Sequence, residues 1–380
     1  MTSKSRLYFS DICHDLVDFV LSDCFGTEMG EVSFQITLFP ARWMSYGTGG
    51  RRIPTRYENN QQWLIEQLRR LHNIGEKCGN VCPEIFNEFN AWTPLKLICL
   101  MHYVDVYSKI MKDRFRTKVF LDVFSGSGLN RISYNLSRQL KETTHHCWFP
   151  GSSIIAANWA TSDGRFNNII AIDNNEQYLD SLQLRMSSIF PSQTFTKVPG
   201  NAEVELPKIV DEIINERSHY LAFVDYGDLR SVRLDILETL LKQRGDMFVT
   251  VLDKGIIRLF GQAQSEPDIQ AMLKNAFGSD VYFNLLDKQV SGQLVTDDIV
   301  KAFCSWFRKY KEEVRWIPIR SGNSSYQYLL FFAVAKTKGG TSFIRVIDDL
   351  KKRMVDLSGK DVSKCLPIVC GKQKTLDKID

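Results

Sequence analysis

The chain has 380 residues, 44% of them hydrophobic and 24% charged, with a formal net charge of +4 at pH 7. That length carries one large α/β domain or two smaller ones, and the composition is ordinary for a globular protein, excluding collagen-like and low-complexity classes. The charge is too mild to argue for nucleic acid on its own, and no apolar run approaches the eighteen or so residues of a membrane-spanning helix.

In chain order, apolar spacing over residues 10–25 (Ile12, Leu16, Phe19, Val20) predicts a short helix, and alternation over Val32–Phe39 predicts a strand. Ala41–Tyr57 reads as a loop in which Arg42, Trp43, Tyr46, Arg51, Arg52, Arg56 and Tyr57 interleave cations with stacking surfaces. Nucleic-acid binders use that mixture, and a solvated loop packing one aromatic onto the domain has it too. Arg51 and Arg52 are its substrate-binding candidates. Residues 59–76 predict an amphipathic helix with Trp63, Leu64, Leu68 and Leu71 on one face. Thr93–Phe115 predicts a stronger one, with Thr93 as N-cap and Pro94 in the first turn.

From Val119 the texture changes. Solidly apolar runs at Val119–Phe124, Ile169–Asp173, Tyr220–Gly227 and Met247–Leu252 alternate with helical segments at Glu176–Ser187, Val204–Glu216 and Asp235–Gln243. Such alternation predicts a parallel sheet covered on both faces. Val314–Thr337 predicts two long strands joined by a turn at Ser321–Ser325, an antiparallel hairpin, followed by a helix near Thr341–Val355. The reading is thus an N-terminal elaboration over 1–90, an α/β domain over 91–357 and a polar, Lys-rich tail over 358–380. Nine unevenly spaced cysteines without a signal peptide read as free thiols in a reducing cytoplasm. Cys78 and Cys82 have metal-like spacing, but no second pair completes a zinc set, so no metal is expected. His145–Cys147 reads as a surface segment.

The chemistry concentrates in Phe120–Arg131, FLDVFSGSGLNR, where a strand ends in Asp122 and a loop holding Gly126 and Gly128. A dinucleotide loop would read G-x-G-x-x-G, and here Arg131 takes the third glycine's place, which weighs against a nicotinamide-dependent oxidoreductase. A Walker loop is excluded, because no G-K-[ST] follows. S-adenosylmethionine makes other demands: it has no phosphate, carries an ammonium and a sulfonium, and offers two adjacent ribose hydroxyls. Asp122, and Asp173 at the end of IIAID, supply the two carboxylates such a ligand needs.

Asp122–Gly128 resembles motif I of class I methyltransferases. The ordered set Lys96–Met111, FLDVFSGSG, Gly151–Ala156, Ile169–Asn175, Phe223–Asp228 and the late strand YQYLLFFAVAK resembles more closely the three-Cys-motif partner (TcmP) family over roughly residues 92–340. The resemblance implies a Rossmann-like class I methyltransferase fold, S-adenosylmethionine as cofactor, and an iron–sulfur three-Cys-motif protein as partner. It places Asp122, Phe124, Ser125, Gly126, Ser127 and Gly128 around the methionine portion, Asp173 on the ribose, Asn174 beside the adenosine, and Asn201 with Ala202 at the adenine. Asn201 equally suits a plain helix cap. The long spacer from Ile132 to about Pro150 precedes GSSIIA, read as the crossover helix, where Ser153 stands for the family's usual proline.

In FVDYGD, Asp225 is followed directly by Tyr226 and Gly227, without the proline usual in the family. Asp225 is the candidate to orient or deprotonate an acceptor and Tyr226 to stack on it; an aspartate at a strand end also commonly caps the next helix. Asp228, Asp253 and Lys254 are rim candidates, Lys254 for substrate. The expectation is a cytoplasmic S-adenosylmethionine-dependent methyltransferase acting on nucleic acid, protein or a small molecule. The alternative is a non-catalytic methyltransferase-like partner acting in a complex.

Overall fold

A computed structural model of the chain describes residues 56–135, 144–213, 217–226, 234–322, 327–334 and 342–371. The helix expected over 10–25, the strand over 32–39 and the Arg/aromatic loop through residue 55, with Arg51 and Arg52, lie outside the described residues. The chain divides into units 1–53 and 54–380, and everything described belongs to the second.

In chain order the strands are β1 (Asn87–Glu88), β2 (Thr117–Val123), β3 (Leu129–Asn135), β4 (Thr144–Pro150), β5 (Asn168–Asp173), β6 (Phe195–Pro199), β7 (Ser218–Asp225), β8 (Gly245–Leu252), β9 (Glu313–Arg320) and β10 (Gln327–Val334). The helices are α1 (Arg56–Val81), α2 (Thr93–Met111), α3 (Ser152–Trp159), α4 (Glu176–Ile189), α5 (Ala202–Ile213) and α6 (Leu234–Leu241), then α7 (Asp253–Gln262), α8 (Pro267–Phe277), α9 (Ser279–Val290), α10 (Thr296–Phe307), α11 (Ser342–Met354) and α12 (Gly359–Val369).

Among the described residues, seven strands make one sheet in the order β6-β5-β2-β7-β8-β10-β9. The first five are parallel. β10 runs antiparallel between β8 and β9, the hairpin expected at the C-terminal end. Burial explains the solidly apolar strand sequences. Phe120, Ile169, Ala171, Leu221 and Phe223 face a core completed by α1 to α4, α11 and α12. Their immediate neighbours Val119, Leu121, Ile170, Ala222 and Val224 face a second core completed by α5 to α10. With both faces covered, both carry mainly apolar residues, with Lys118, Asp122, His219, Asp246 and Thr250 as buried polar exceptions in β2, β7 and β8.

Two segments differ from expectation. The spacer after the glycine loop forms a hairpin, β3 paired antiparallel with β4, and β1 pairs parallel with β3. The segment from 358, read as a polar tail, holds α12, whose Val362, Cys365 and Leu366 are fully buried. Its lysines dominate the composition, but Val362, Cys365, Leu366 and Val369 recur at helical spacing and supply an apolar face. No described helix is long and apolar enough to cross a membrane.

Candidate functional site

From β2 the chain builds outward to β5 and β6 on one side, then to β7 and β8 on the other. The connections therefore diverge above the C-terminal end of β2, the place where open α/β sheets leave a crevice for ligands. The glycine loop lies there. Its backbone is left-handed at Phe124 (φ 67°), Gly126 (61°) and Gly128 (77°). For phenylalanine that conformation costs about 1–3 kcal/mol, and such strain concentrates at binding sites. It is held by the N–H groups of Phe124 and Ser125, both donating to the Ile172 carbonyl at 3.0 Å, and by ring packing of Phe124 on Tyr226 at 5.1 Å.

The hairpin insertion does not separate the loop from its helix. Gly151 N–H donates to the Gly128 carbonyl at 2.8 Å, so β3 and β4 leave and return at one point. A Cβ on Gly151 would lie 2.8 Å from the Gly128 Cα, and one on Gly128 2.5 Å from a Leu182 methyl. Only glycine admits that approach at both positions. The first turn of α3 is thereby delivered to Asp122.

Asp122 is 1% exposed. Its carboxylate accepts from Ser152 Oγ at 2.7 and 2.8 Å and from Ser153 Oγ at 2.5 Å. Burial pushes its pKa up to about 6; the Ser153 and Ser152 hydrogen bonds oppose the rise, and the nearby Asp225 charge adds to it. Asp122 therefore lies under the loop as an anion at a helix N-terminus, not as an open contact. Asp173, ending β5, holds the loop from the other side: Oδ2 accepts from Gly126 N–H at 2.8 Å and Oδ1 from Asn175 N–H at 2.9 Å. Ser125 Oγ is buried with no hydrogen-bond partner among the described residues. Ser127 is structural, its hydroxyl bridging Asn87 Oδ1 and the Leu129 carbonyl.

At the end of β7, Asp225 is brought beside Asp122 but is already engaged. Oδ2 pairs with Lys96 Nζ and Oδ1 accepts from Thr250 Oγ1 at 2.5 Å. The Lys96 ammonium also stands 5.6 Å from the Phe89 ring and 5.4 Å from that of Tyr328. Tyr226 does not present its ring at the strand ends as expected: it is 5% exposed and packs under Phe124. The ring of Phe124, whose backbone is left-handed, covers it. Gly227 and Asp228 lie outside the described residues.

The other expected residues follow the C-terminal ends of β5, β6 and β8. Asn174 is exposed just beyond Asp173. Asn201 is exposed at the start of α5, where its carbonyl accepts from Val204 and Glu205, and Ala202 is buried. Asp253 accepts from Thr296 Oγ1 at 2.9 Å, and Lys254 is exposed beside it.

Two cations escaped the sequence reading. Lys96 sits in the apolar first turns of α2, and a lysine there signals a buried carboxylate partner. Arg185 follows Leu182 by three on the buried face of α4. Fully buried, it donates to the carbonyls of Cys78 (3.2 Å), Ile85 (2.6 Å) and Ser127 (2.5 Å), and to that of Cys82. It caps the end of α1 and ties it to the glycine loop.

The cysteine reading needs correction in one place. Cys147, expected on a surface segment, is fully buried in β4 and joined by a disulfide to Cys370. The alternating pattern of β4 turns His146 outward and Cys147 inward. Cys78, Cys82, Cys99, Cys304 and Cys365 are free.

No family model matches the chain, and no curated protein matches it. Solved structures overlap it at low scores. A Legionella pneumophila protein is 11% identical, TM-score 0.40, over 67% of this chain and 91% of that one. The methyltransferase domain of METTL16 is 14% identical, TM-score 0.32, over 64% of this chain and 69% of that one. Trm5 of Methanocaldococcus jannaschii, solved with adenosine, is 12% identical, TM-score 0.29, over 61% of this chain and 48% of that one.

Proposed function

We propose that the chain is a class I S-adenosylmethionine-dependent methyltransferase whose cofactor occupies the crevice above β2. The observation that carries this reading is the place of Asp122. In phosphate-binding α/β proteins the helix N-terminus after the first strand receives the ligand's anion. Here the first turn of α3 already receives a carboxylate of the protein itself. A pyrophosphate would meet a buried negative charge, whereas a cationic nucleoside would be attracted by it.

The remaining groups fit that ligand. Asp173, at the end of the adjacent strand, suits a pair of ribose hydroxyls; Asn174 and Asn201 flank the place of the base; the unpartnered Ser125 hydroxyl awaits a polar atom. When bound, the cofactor supplies an activated methyl group on a sulfonium. The protein's task is then alignment and charge accommodation. Asp225 is the group to receive the acceptor: an amine or hydroxyl taking over from Thr250 or Lys96 would donate to the same carboxylate. Lys96 acts as a positioning residue, fixing Asp225 from α2.

A second reading rests on the same contacts. Both Asp225 oxygens are engaged and Tyr226 is covered, which suits a protein that binds the nucleoside and works by association without turnover.

Thermal-shift titration separates these from a nicotinamide enzyme. A ligand at one hundred times its dissociation constant adds about 2.7 kcal/mol of stability. S-adenosylmethionine or S-adenosylhomocysteine should raise the midpoint, NAD should not, and Asp173→Ala should abolish the rise. No shift at millimolar cofactor would sink both nucleoside readings. If the shift occurs, methyl incorporation into candidate acceptors, with Asp225→Ala as control, decides between enzyme and binding protein.

A further inference from the structure

The disulfide between Cys147 and Cys370 has a third neighbour. One imidazole nitrogen of His72 and the two sulfurs lie within 4.8 Å of one another. The three residues come from separate places: His72 from α1, Cys147 from β4, and Cys370 from the end of α12. His72 is held in orientation. Its Nδ1 stands 3.0 Å from the Trp148 carbonyl and, donating there, leaves the lone pair on Nε2. Nε2 is 3.6 Å from Glu76 Oε1, one turn along the same helix. A histidine fixed through one nitrogen by a backbone carbonyl, with the other free to coordinate, is the usual arrangement of a metal ligand with its outer partner.

The geometry points to a metal site that forms when Cys147 and Cys370 are reduced: a zinc-like divalent cation held by two thiolates and His72, with Glu76 or water as fourth ligand. Two sulfurs, one imidazole and one oxygen make a tetrahedral set suited to zinc. The Cα–Cα separation of 6.2 Å serves either state, because two sulfurs at ~2.3 Å from one ion need move apart by only about 2 Å relative to a disulfide. The chemistry balances. A dithiol gives two electrons and two protons to the disulfide, leaving as its own disulfide, and the metal then displaces the two thiol protons.

The disulfide ties β4 to the end of α12, and the metal would add α1 through His72; β4 ends at Pro150, next to the Gly151–Gly128 closure under the glycine loop. The site is therefore a clamp that is covalent when oxidised and metal-bound when reduced.

The test uses the full chain, reduced with a phosphine under argon and titrated with Co²⁺. Sulfur-to-cobalt charge transfer and tetrahedral d–d absorption are expected to saturate at one ion per chain, and to be absent in the oxidised chain. Zn²⁺ should displace the cobalt and raise the thermal midpoint of the reduced chain alone. His72→Ala should weaken Co²⁺ binding roughly tenfold or more, and zinc should protect Cys147 and Cys370 from alkylation mapped by mass spectrometry. A reduced, folded chain that binds no cobalt overturns the proposal. So does equal binding by the oxidised chain, or a reduced chain that unfolds and is not rescued by zinc.

Discussion

Asp122 carries an electrostatic cost that can be measured. Its ordinary pKa is 3.8, and burial raises it to about 6 in the folded chain. The folded state thus favours the protonated carboxyl. That contribution is fully present below pH 3.8 and is lost as pH rises through 6, leaving a penalty on the order of 3 kcal/mol at neutral pH. Relative to Asp122→Asn, the wild type should therefore lose about that much unfolding free energy between pH 4 and pH 7. A difference that stays constant across this range would contradict the buried-carboxylate account. The Lys96–Asp225 pair makes a second prediction. Both side chains are largely buried, at 7% and 16% exposure, so Lys96→Met strands a charge and should cost about 3–5 kcal/mol in denaturant unfolding. Lys96→Met combined with Asp225→Asn should recover much of that loss, because the stranded charge is gone. Strict additivity of the two substitutions would refute the pairing.

At the scale of elements, the inserted hairpin is the feature to test. It lengthens the first crossover without moving the helix that follows, because Gly151 closes on Gly128. Gly151→Ala puts a Cβ against backbone rather than against a side chain that could yield. It should cost about 1–3 kcal/mol and weaken binding of S-adenosylmethionine, the cofactor proposed above, since the first turn of α3 can no longer reach Asp122. Replacing residues 136–143 by a two-residue turn should leave cofactor binding unchanged. Calorimetric titration of both variants is the check, and equal affinity in Gly151→Ala would show that the closure does not shape the site. The sequence marked this region well: GSSIIA is the crossover helix, and its distance from the loop signalled an insertion. That the insertion is a hairpin paired with β1 was hidden, because Asn87–Glu88 is two residues long and carries no periodicity.

For the whole molecule, partly buried His102 and buried His219 contribute to the acid limit. Burial lowers His102 to about 4 and His219 to about 3, so both fold as neutral rings. Their contribution is present above the ordinary value of 6.5 and is lost as pH falls through 4 and 3, since the unfolded chain takes up protons first. His219 Nδ1 shares a hydrogen bond with the Tyr107 hydroxyl at 2.9 Å, and Asp246 accepts from Tyr103 at 2.6 Å. His219→Asn should flatten the acid limb of the stability curve below pH 6.5. An unchanged limb would place the proton uptake elsewhere.

Much of this architecture was readable from the chain alone. Solid apolar runs set the parallel strands, alternating helices set a sheet covered on both faces, and the late pair of long strands set the antiparallel hairpin. Each depends on local periodicity and burial, which a single segment displays by itself. The two acids of the crevice were readable for the same reason, since both end such runs. What only the tertiary structure decided is how distant charges are paired. Asp122 meets serines 30 and 31 positions away, Asp225 meets a lysine 129 away, Arg185 meets carbonyls about a hundred away, and Cys147 meets Cys370 across 223 residues. No pattern along the chain encodes those meetings, because side chains so far apart become neighbours only when the elements carrying them are packed.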